Sequence, residues 1–119
     1  MTQHPIHRLD DDVHQRVRLG ILACLAGVTR ADFAFLRAEL GVTDGNLGRH
    51  LEVLETAGLV TMSKSSGPGR QRTWVKINRT GREALRREIE ALRQILTSIT
   101  PDPADDQTNH APQRTANRS

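Results

Sequence analysis

Three short segments with regularly spaced apolar residues, each followed by a glycine, constrain the fold of this chain more than any other feature of its sequence. In the first run, over residues 12–26, apolar residues recur every four positions and Gly27 follows. The second run ends at Gly41 and the third at Gly58. Apolar residues spaced by three and four positions share one face of a helix, and glycine readily adopts the left-handed conformation that ends one. The pattern therefore predicts three consecutive helices.

The residues that begin the second and third helices are also recognisable. Thr29 stands three positions before Asp32, the spacing of a capping box, and predicts the start of the second helix. Thr43 is the predicted N-cap of the third helix, after only a Gly-Val turn. This order predicts a helix-turn-helix unit. The inward residues of the third helix are Leu47, Leu51 and Leu54.

After Gly58 the pattern changes to two β-favouring stretches, residues 59–64 and 71–77, separated by the sequence SSGPGR. Such stretches around a Gly-Pro segment predict a β-hairpin with a flexible, basic tip. Side chains alternate between the two faces of a strand. We therefore expect Val75 and Ile77 to face the core, and Trp74 and Lys76 to face away from it.

A long last helix is predicted from Thr80, which forms a second capping box with Glu83. Leu85 and Ile89 can close the core of the domain, but the apolar repeat continues to Ile99, past anything else that the chain offers to cover it. Core closure and a dimer seam are the two interpretations, and the length of the helix favours a homodimer. The predicted dimer-interface residues are Leu92, Ile95, Leu96 and Ile99.

The 119 residues allow one domain with a modest core. We expect a flexible leader over residues 1–8 and the domain over residues 9–99. Over residues 100–119 the apolar residues are only Ala104, Ala111 and Ala116, which predicts a disordered tail. The expected fold class is mainly α with a small β-hairpin.

Charge is distributed unevenly along the chain. Residues 59–82 carry six basic side chains and no acidic one, although the whole chain has 17 Lys and Arg against 14 Asp and Glu. A local field of one sign favours a polyanionic partner. A merely solvated basic face is the alternative.

Cysteine content and the start of the chain indicate the compartment. The single cysteine, Cys24, excludes an intrachain disulfide and fits a reducing environment. A buried thiol is the simpler interpretation of Cys24, and a redox sensor is the alternative. The first residues lack the order of a signal peptide, and the longest apolar run, residues 21–28, is far below the ~20 residues of a spanning helix. We therefore expect a cytoplasmic protein without membrane contact.

Three segments of the chain resemble the winged helix-turn-helix transcriptional regulators of the MarR/ArsR kind: LDDDVHQRVRLGILACL, VTDGNLGRHLEVLETAGLV and INRTGREAL. The resemblance covers about residues 9–96, and the motif TDGNLGRHL of the third helix is its most specific part. It implies that the third helix enters a DNA major groove and that the hairpin is a wing.

The outward side of that recognition helix suits DNA. Arginine can pair with guanine and asparagine with adenine, and the first-turn amides can hold a phosphate. Asp44 is favoured by the helix dipole, while the resemblance permits a contact with cytosine. Both a packing role and a base-reading role remain open for His50. The candidate DNA-binding residues of the helix are Thr43, Asp44, Gly45, Asn46, Arg49 and His50.

Two glycines in the recognition helix each cost about 1 kcal/mol relative to alanine. For Gly45, which faces outward, close approach of the backbone to DNA is the favoured explanation. For Gly48, close approach to DNA and tight packing on the second helix are both open.

The wing is expected to reach a minor groove or the flanking phosphates, as wings do in the proteins that this chain resembles. Ser65 and Ser66 stand where an apolar or aromatic residue is common in that family. The candidate wing residues are Lys64, Arg70, Gln71, Arg72 and Lys76.

Other functions are less well supported. No set of nucleophile, base and stabiliser is visible, so we expect no enzyme, no catalytic residues and no cofactor. His4, His7 and His14 beside Asp10–Asp12 could hold a metal, but the paired cysteines of ArsR-type metal sensors are missing, and no metal site is predicted. A winged helix that binds protein instead of DNA is the main alternative. A small-molecule effector is possible, and it would have to bind between the helices of the dimer.

Together these features predict a sequence-specific regulator of double-stranded DNA. The expected form is a homodimer that reads an inverted-repeat operator with half-sites about one DNA turn apart. Steric repression is the mechanism that the resemblance implies.

Overall fold

The computed structural model describes residues 4–65, 69 and 71–99. A 3-10 turn at Pro5–Arg8 comes first. The elements that follow are α1 Arg16–Ala26, β1 Ala31–Asp32, α2 Phe33–Leu40, α3 Asp44–Thr56, β2 Val60–Lys64, β3 Thr73–Ile77 and α4 Arg79–Ile99. The mainly helical fold with a small β-hairpin and a long last helix is thereby confirmed.

Helix α1 begins at Arg16, four residues after the predicted start at Asp12. The carboxylate of Asp10 accepts from the Asp12 amide at 2.9 Å, and the Asp10 carbonyl accepts from Val13 and His14. Aspartate commonly competes with a helix in this way, by bonding to the backbone beside it. Residues 10–14 therefore form a turn, which we call the acidic turn, although Val13 is still completely buried.

The predicted capping box at Thr29 is wrong. Ala31 and Asp32 form the short strand β1, and the Asp32 carboxylate caps α2 by accepting from the Phe35 amide at 2.8 Å. A strand of two residues has no hydrophobic period of its own, and β1 exists because Ala31 pairs with Val75 of β3. The predicted end of α2 is confirmed, since Gly41 adopts the left-handed conformation at φ 64°.

Helix α3 follows its prediction closely. The Thr43 hydroxyl accepts from the Asn46 amide at 3.1 Å, as an N-cap does. Gly58 stands two residues after the last helical residue, Thr56, with φ 79°. The three inward leucines of α3 are almost completely buried.

The sheet has the strand order β1-β3-β2, and both strand pairs are antiparallel. Val75 and Ile77 of β3 are buried, whereas Lys76 is exposed and Trp74 is half-buried, in the alternation that the sequence predicts. We call the side of the sheet that carries Trp74 and Lys76 its outer face.

Helix α4 begins at Arg79, and the predicted capping box at Thr80 is wrong. The Asn78 side chain accepts from the Gly81 amide at 2.8 Å and donates to the Gly58 carbonyl at 2.9 Å. A Cβ at position 81 would overlap the carbonyl oxygen of Leu59. The start of α4 is therefore set by contacts with Gly58 and Leu59, in the connection between α3 and β2.

The core forms where α1, α3 and the inner face of the sheet meet, and α4 closes it with different residues than expected. Leu85 is buried, but Ile89 is 40% exposed, so the expectation that Ile89 closes the core is wrong. Ala84, Glu88 and Ala91 are buried in its place. Along α4, these residues lie three and four positions apart, and they turn a slightly different face of the helix inward.

The first described residues lie against α4. Residues 5–8, which the sequence places in a flexible leader, form the 3-10 turn on this helix instead. The acidic turn follows, and the buried carboxylate of Glu88 accepts from the Asp10 amide at 3.0 Å. The same carboxylate pairs with His14 Nδ1 at 2.6 Å. The predicted tail at residues 100–119 lies outside the described residues.

Candidate nucleic-acid interface

The N-terminal half of α3 presents a polar surface. Thr43, Asp44, Gly45 and Arg49 are exposed, as expected for residues that meet DNA. The Thr43 hydroxyl is occupied by its capping bond, so its remaining hydrogen-bonding capacity is what a partner can use. Arg49 is the only arginine or lysine of α3, and it is exposed.

Asp44 is held by a residue that the sequence did not single out. Arg37 of α2 donates from Nη1 to the Asp44 carboxylate at 3.0 Å. The pair ties the start of α3 to α2, and it reduces the negative charge that Asp44 would otherwise present to DNA. The dipole interpretation of Asp44 is compatible with this geometry, since the residue occupies the first turn of α3.

The two glycines of α3 have open space around them. A Cβ at Gly45 or Gly48 would meet no described heavy atom within 4 Å apart from its neighbours and its own helix backbone. The interpretation of Gly48 as a tight packing contact on α2 is therefore wrong. Because neither glycine has a side chain, the backbone of the first turns of α3 is accessible to a partner at close range.

Asn46 lies on the flank of α3 and is half-buried. Its Oδ1 atom is buried and has no hydrogen-bond partner among the described residues. Unpaired buried polar atoms are rare, and one beside an exposed polar surface is a candidate for a functional contact.

His50 faces inward and is only 7% exposed. Its Nδ1 accepts from Arg18 Nη1 at 3.0 Å, while the same guanidinium donates to the carbonyls of Asp12 at 2.7 Å and Asp11 at 3.1 Å. Burial lowers the pKa of His50, and the charges of Arg18, Arg49 and Arg16 lower it further. A neutral imidazole that accepts from Arg18 favours the packing role for His50 over base reading.

The candidate wing residues in the described part of the chain are exposed, and Arg72 among them has an ion-pair partner. Lys64, Gln71 and Lys76 are exposed, and Arg70 lies outside the described residues. Arg72 is also exposed, but its Nη1 lies 3.4 Å from the Asp32 carboxylate at the start of α2.

Ser65 pairs with Arg72 at the described end of the hairpin. Its amide donates to the Arg72 carbonyl at 2.9 Å, and its hydroxyl accepts from the Arg72 amide at 3.1 Å. The hairpin pairing thus continues one residue beyond β2, and it fixes the backbone on which Arg72 stands.

Helix α2 links the two candidate surfaces. Its N-cap, Asp32, contacts Arg72 of the wing, and Arg37 in its last turn contacts Asp44 of α3. Between the start of α2 and the wing lies an open cleft of about 470 Å³, lined by Asp32, Phe33, Ala34, Gln71, Arg72 and Thr73. The two ion pairs place the wing and the recognition helix at opposite ends of one short helix.

The predicted seam on α4 is apolar and partly uncovered. Leu92 and Ile95 are half-buried, while Leu96 is 61% and Ile99 72% exposed. A groove of about 520 Å³ runs beside the seam, lined by Ala26, Arg82, Leu85, Arg86, Ile89, Glu90 and Arg93.

The remaining candidate groups have local partners. Desolvation raises the pKa of the Cys24 thiol, and the charge of Glu39 raises it further, which favours an inert thiol over a redox sensor.

His14 is engaged with Glu88, and His4 Nδ1 accepts from the Ile6 amide at 3.1 Å. In the described part of the chain, no three His, Cys, Asp or Glu residues are grouped as a metal site requires. No helix within residues 4–65 and 71–99 has the length and apolar content to cross a membrane.

Comparison with known proteins identifies the fold. The family model of the winged helix DNA-binding domain matches residues 17–96. An uncharacterised protein of Methanocaldococcus jannaschii is 41% identical over 83 residues, which are 70% of this chain and 90% of that protein. A transcriptional regulator homologue from Pyrococcus horikoshii has a similar structure, with a TM-score of 0.72 and 33% identity over 76% of this chain and 89% of its own.

More distant solved structures share the fold. A MarR family transcriptional regulator from Streptomyces coelicolor, solved in complex with DNA, has a TM-score of 0.60 at 23% identity, and the match covers 88% of this chain and 71% of that one. The family and these solved neighbours are DNA-binding domains and transcriptional regulators, not enzymes. The resemblance to winged helix regulators is confirmed, and this chain belongs to the winged helix DNA-binding domain family.

Proposed function

We propose that this protein is a transcriptional regulator that binds double-stranded DNA sequence-specifically. The observation that carries the proposal is the exposed polar surface at the start of α3, joined through α2 to the basic wing. An α-helix presented in this way fits a major groove, and a wing beside it reaches the adjacent backbone. Arg49 is the proposed base-reading residue, and Lys64, Arg70, Gln71, Arg72 and Lys76 are the proposed wing contacts.

The active form in this proposal is a homodimer. Leu92, Ile95, Leu96 and Ile99 form the seam, because burying exposed apolar area against a second copy is favourable. A two-fold dimer reads an inverted repeat with half-sites about one helical turn apart. Occupation of such an operator represses transcription by steric exclusion. The protein acts in the cytoplasm, where a lone cysteine stays reduced.

Selection from a randomised duplex library tests the proposal. An inverted repeat should be enriched, and the affinity for it should fall by roughly 10³ between about 50 and 200 mM salt if six or more phosphates are neutralised. Binding without enrichment and without salt dependence would contradict the proposal.

Protein binding is the second candidate, and the exposure of Phe35 favours it. This side chain is 49% exposed in the first turn of α2, where a protein partner could cover it. Retention on heparin with strong salt dependence supports DNA binding, whereas weak, salt-insensitive retention supports a protein partner. Phe35→Ser should leave DNA affinity unchanged if the regulator proposal is correct.

A further inference from the structure

The outer face of the sheet holds a cation that the proposed wing contacts do not include. The Arg30 guanidinium lies over the Trp74 ring, 3.7 Å from its centroid. Arg30 belongs to the connection between α1 and β1, and Trp74 is the second residue of β3, opposite Asp32 of β1 and Ser63 of β2. Such a contact fixes the position of a long side chain that would otherwise be mobile in solvent.

Arg30 differs from Arg72 in how its charge is balanced. Arg72 lies 5.9 Å from the same ring and has the Asp32 carboxylate as an ion-pair partner. Across the described residues, no carboxylate is within ion-pair distance of Arg30. A guanidinium stacked on a ring keeps the donors at its edge available, and this planar fork matches a phosphate. Trp74 therefore holds Arg30 without neutralising it.

The surroundings of Arg30 favour a polyanion over a single small anion. Trp74 and Lys76 lie two positions apart on the outer face of β3, and Arg72, directly before the strand, lies 5.9 Å from the Trp74 ring on the wing side. Arg30 comes directly before Ala31, the residue paired with Val75 between Trp74 and Lys76. The outer face therefore carries three cations, Arg72, Arg30 and Lys76, and a local field of one sign favours a polyanion.

We propose that Arg30, positioned by Trp74, binds the DNA backbone outside the half-site that the recognition helix and wing read. The proposal rests on the proposed function, since it extends the same DNA complex beyond the wing. Arg30 supplies a phosphate contact without sequence preference, and Trp74 is a positioning residue.

Arg30→Ala tests the contact through its salt dependence. Affinity at 100 mM salt should fall about 3- to 10-fold, equally on an operator with flanking DNA and on random DNA of the same length, and the slope of log affinity against log salt should decrease by about 0.9 for one lost phosphate. Arg87→Ala is the matched control, because it removes the same charge from an exposed position on α4. Trimming the duplex to the bare operator should abolish the difference between Arg30→Ala and the wild type.

A double-mutant cycle tests the role of Trp74. Trp74→Phe should retain most of the affinity because it keeps an aromatic face, and Trp74→Leu should lose as much as Arg30→Ala. Adding Arg30→Ala to Trp74→Leu should then cause little further loss, with the salt slope unchanged. Trp74 is the only tryptophan and the chain has no tyrosine, so its emission should also change when flanked DNA binds.

The outcomes separate this inference from the function on which it rests. If the wild type binds the operator with a steep salt slope and Arg30→Ala behaves like it, the Arg30 contact is wrong and the regulator function stands. An equal loss for Arg87→Ala also overturns the contact, because the effect is then one of net charge. If the wild type shows no salt-dependent DNA binding, the proposed function itself has failed. Arg30→Ala alone decides the contact if Trp74→Leu does not fold.

Discussion

Helices α3 and α4 both contribute to the core, but they turn opposite kinds of surface to the outside. The start of α3 exposes Thr43, Asp44 and Arg49, which are well solvated without a partner. The end of α4 exposes Leu96 and Ile99, whose burial is favourable at roughly 25 cal/mol per Å². One domain of this size can therefore carry a polar surface on one helix and an apolar surface on another.

Each of the two helices also buries one polar side chain that accepts hydrogen bonds. His50 of α3 is an acceptor with a lowered pKa, and it receives a hydrogen bond from Arg18. Glu88 of α4 is completely buried and accepts from the Asp10 amide while pairing with His14. Both sets of contacts end on the acidic turn, because Arg18 also binds the carbonyls of Asp11 and Asp12. The acidic turn is therefore connected to both helices, to α4 directly through Glu88 and to α3 through Arg18 and His50.

The largest effect is expected at the apolar seam. Leu96→Glu combined with Ile99→Glu should weaken the dimer at least a hundredfold, about 3 kcal/mol, because carboxylates would be buried without partners. Sedimentation velocity should show a monomer, and circular dichroism should show that it is folded. Gln94→Glu with Thr97→Glu adds the same charge on the opposite side of the helix and should leave the dimer intact. A dimer that survives the seam substitutions would contradict the proposed interface.

Glu88→Ala should cost about 3 kcal/mol of folding free energy, because it leaves the Asp10 amide and His14 without their acceptor and opens a cavity. Glu88→Gln should cost less, since its amide oxygen can still accept from Asp10. Urea denaturation followed by circular dichroism measures both. Equal stability of the wild type and Glu88→Ala would show that the acidic turn does not depend on this carboxylate.

Arg49→Ala should reduce discrimination by about 1 to 3 kcal/mol at one base position in each half-site. Arg72→Ala is its counterpart in the wing and should weaken binding to all sequences alike. Competition binding with single-base operator variants distinguishes the two. Should Arg49→Ala lose equally on operator and random DNA, Arg49 is not a base-reading residue.

The smallest expected effect concerns pH and His50. The pKa of His50 is lowered below 6.5 in the folded protein, so the unfolded chain takes up a proton first as the pH falls. Stability is therefore unaffected well above pH 6.5 and is lost as the pH falls from there toward the folded pKa. Unfolding free energies at pH 7.5 and 5 should show a smaller acid loss for His50→Gln than for the wild type. Parallel pH profiles would mean that His50 is not held neutral.

The accuracy of the sequence predictions varies with the range of the interaction. Thr43 and the leucines of α3 were placed correctly because a cap and a helical repeat are local properties. The capping boxes at Thr29 and Thr80 are wrong because Asp32 and Asn78 cap those helices: Asp32 pairs with Trp74 in the sheet, and Asn78 bonds to Gly58 in the connection between α3 and β2. At the candidate interface, exposure of Arg49 followed from helical spacing, whereas Arg37 as the partner of Asp44 did not.

The sequence by itself determined the three helical repeats, the alternation of β3, the apolar face of α4 and the basic wing. Each of these features depends only on the types and spacing of residues that are a few positions apart in the chain. The tertiary structure alone decided strand β1, the burial of Glu88 with His14, the bond from Arg18 to His50 and the stack of Arg30 on Trp74. Those contacts join residues far apart in the chain, 74 positions for His14 and Glu88 and 32 for Arg18 and His50. No local period encodes such pairs, since they form only when folding brings distant segments together.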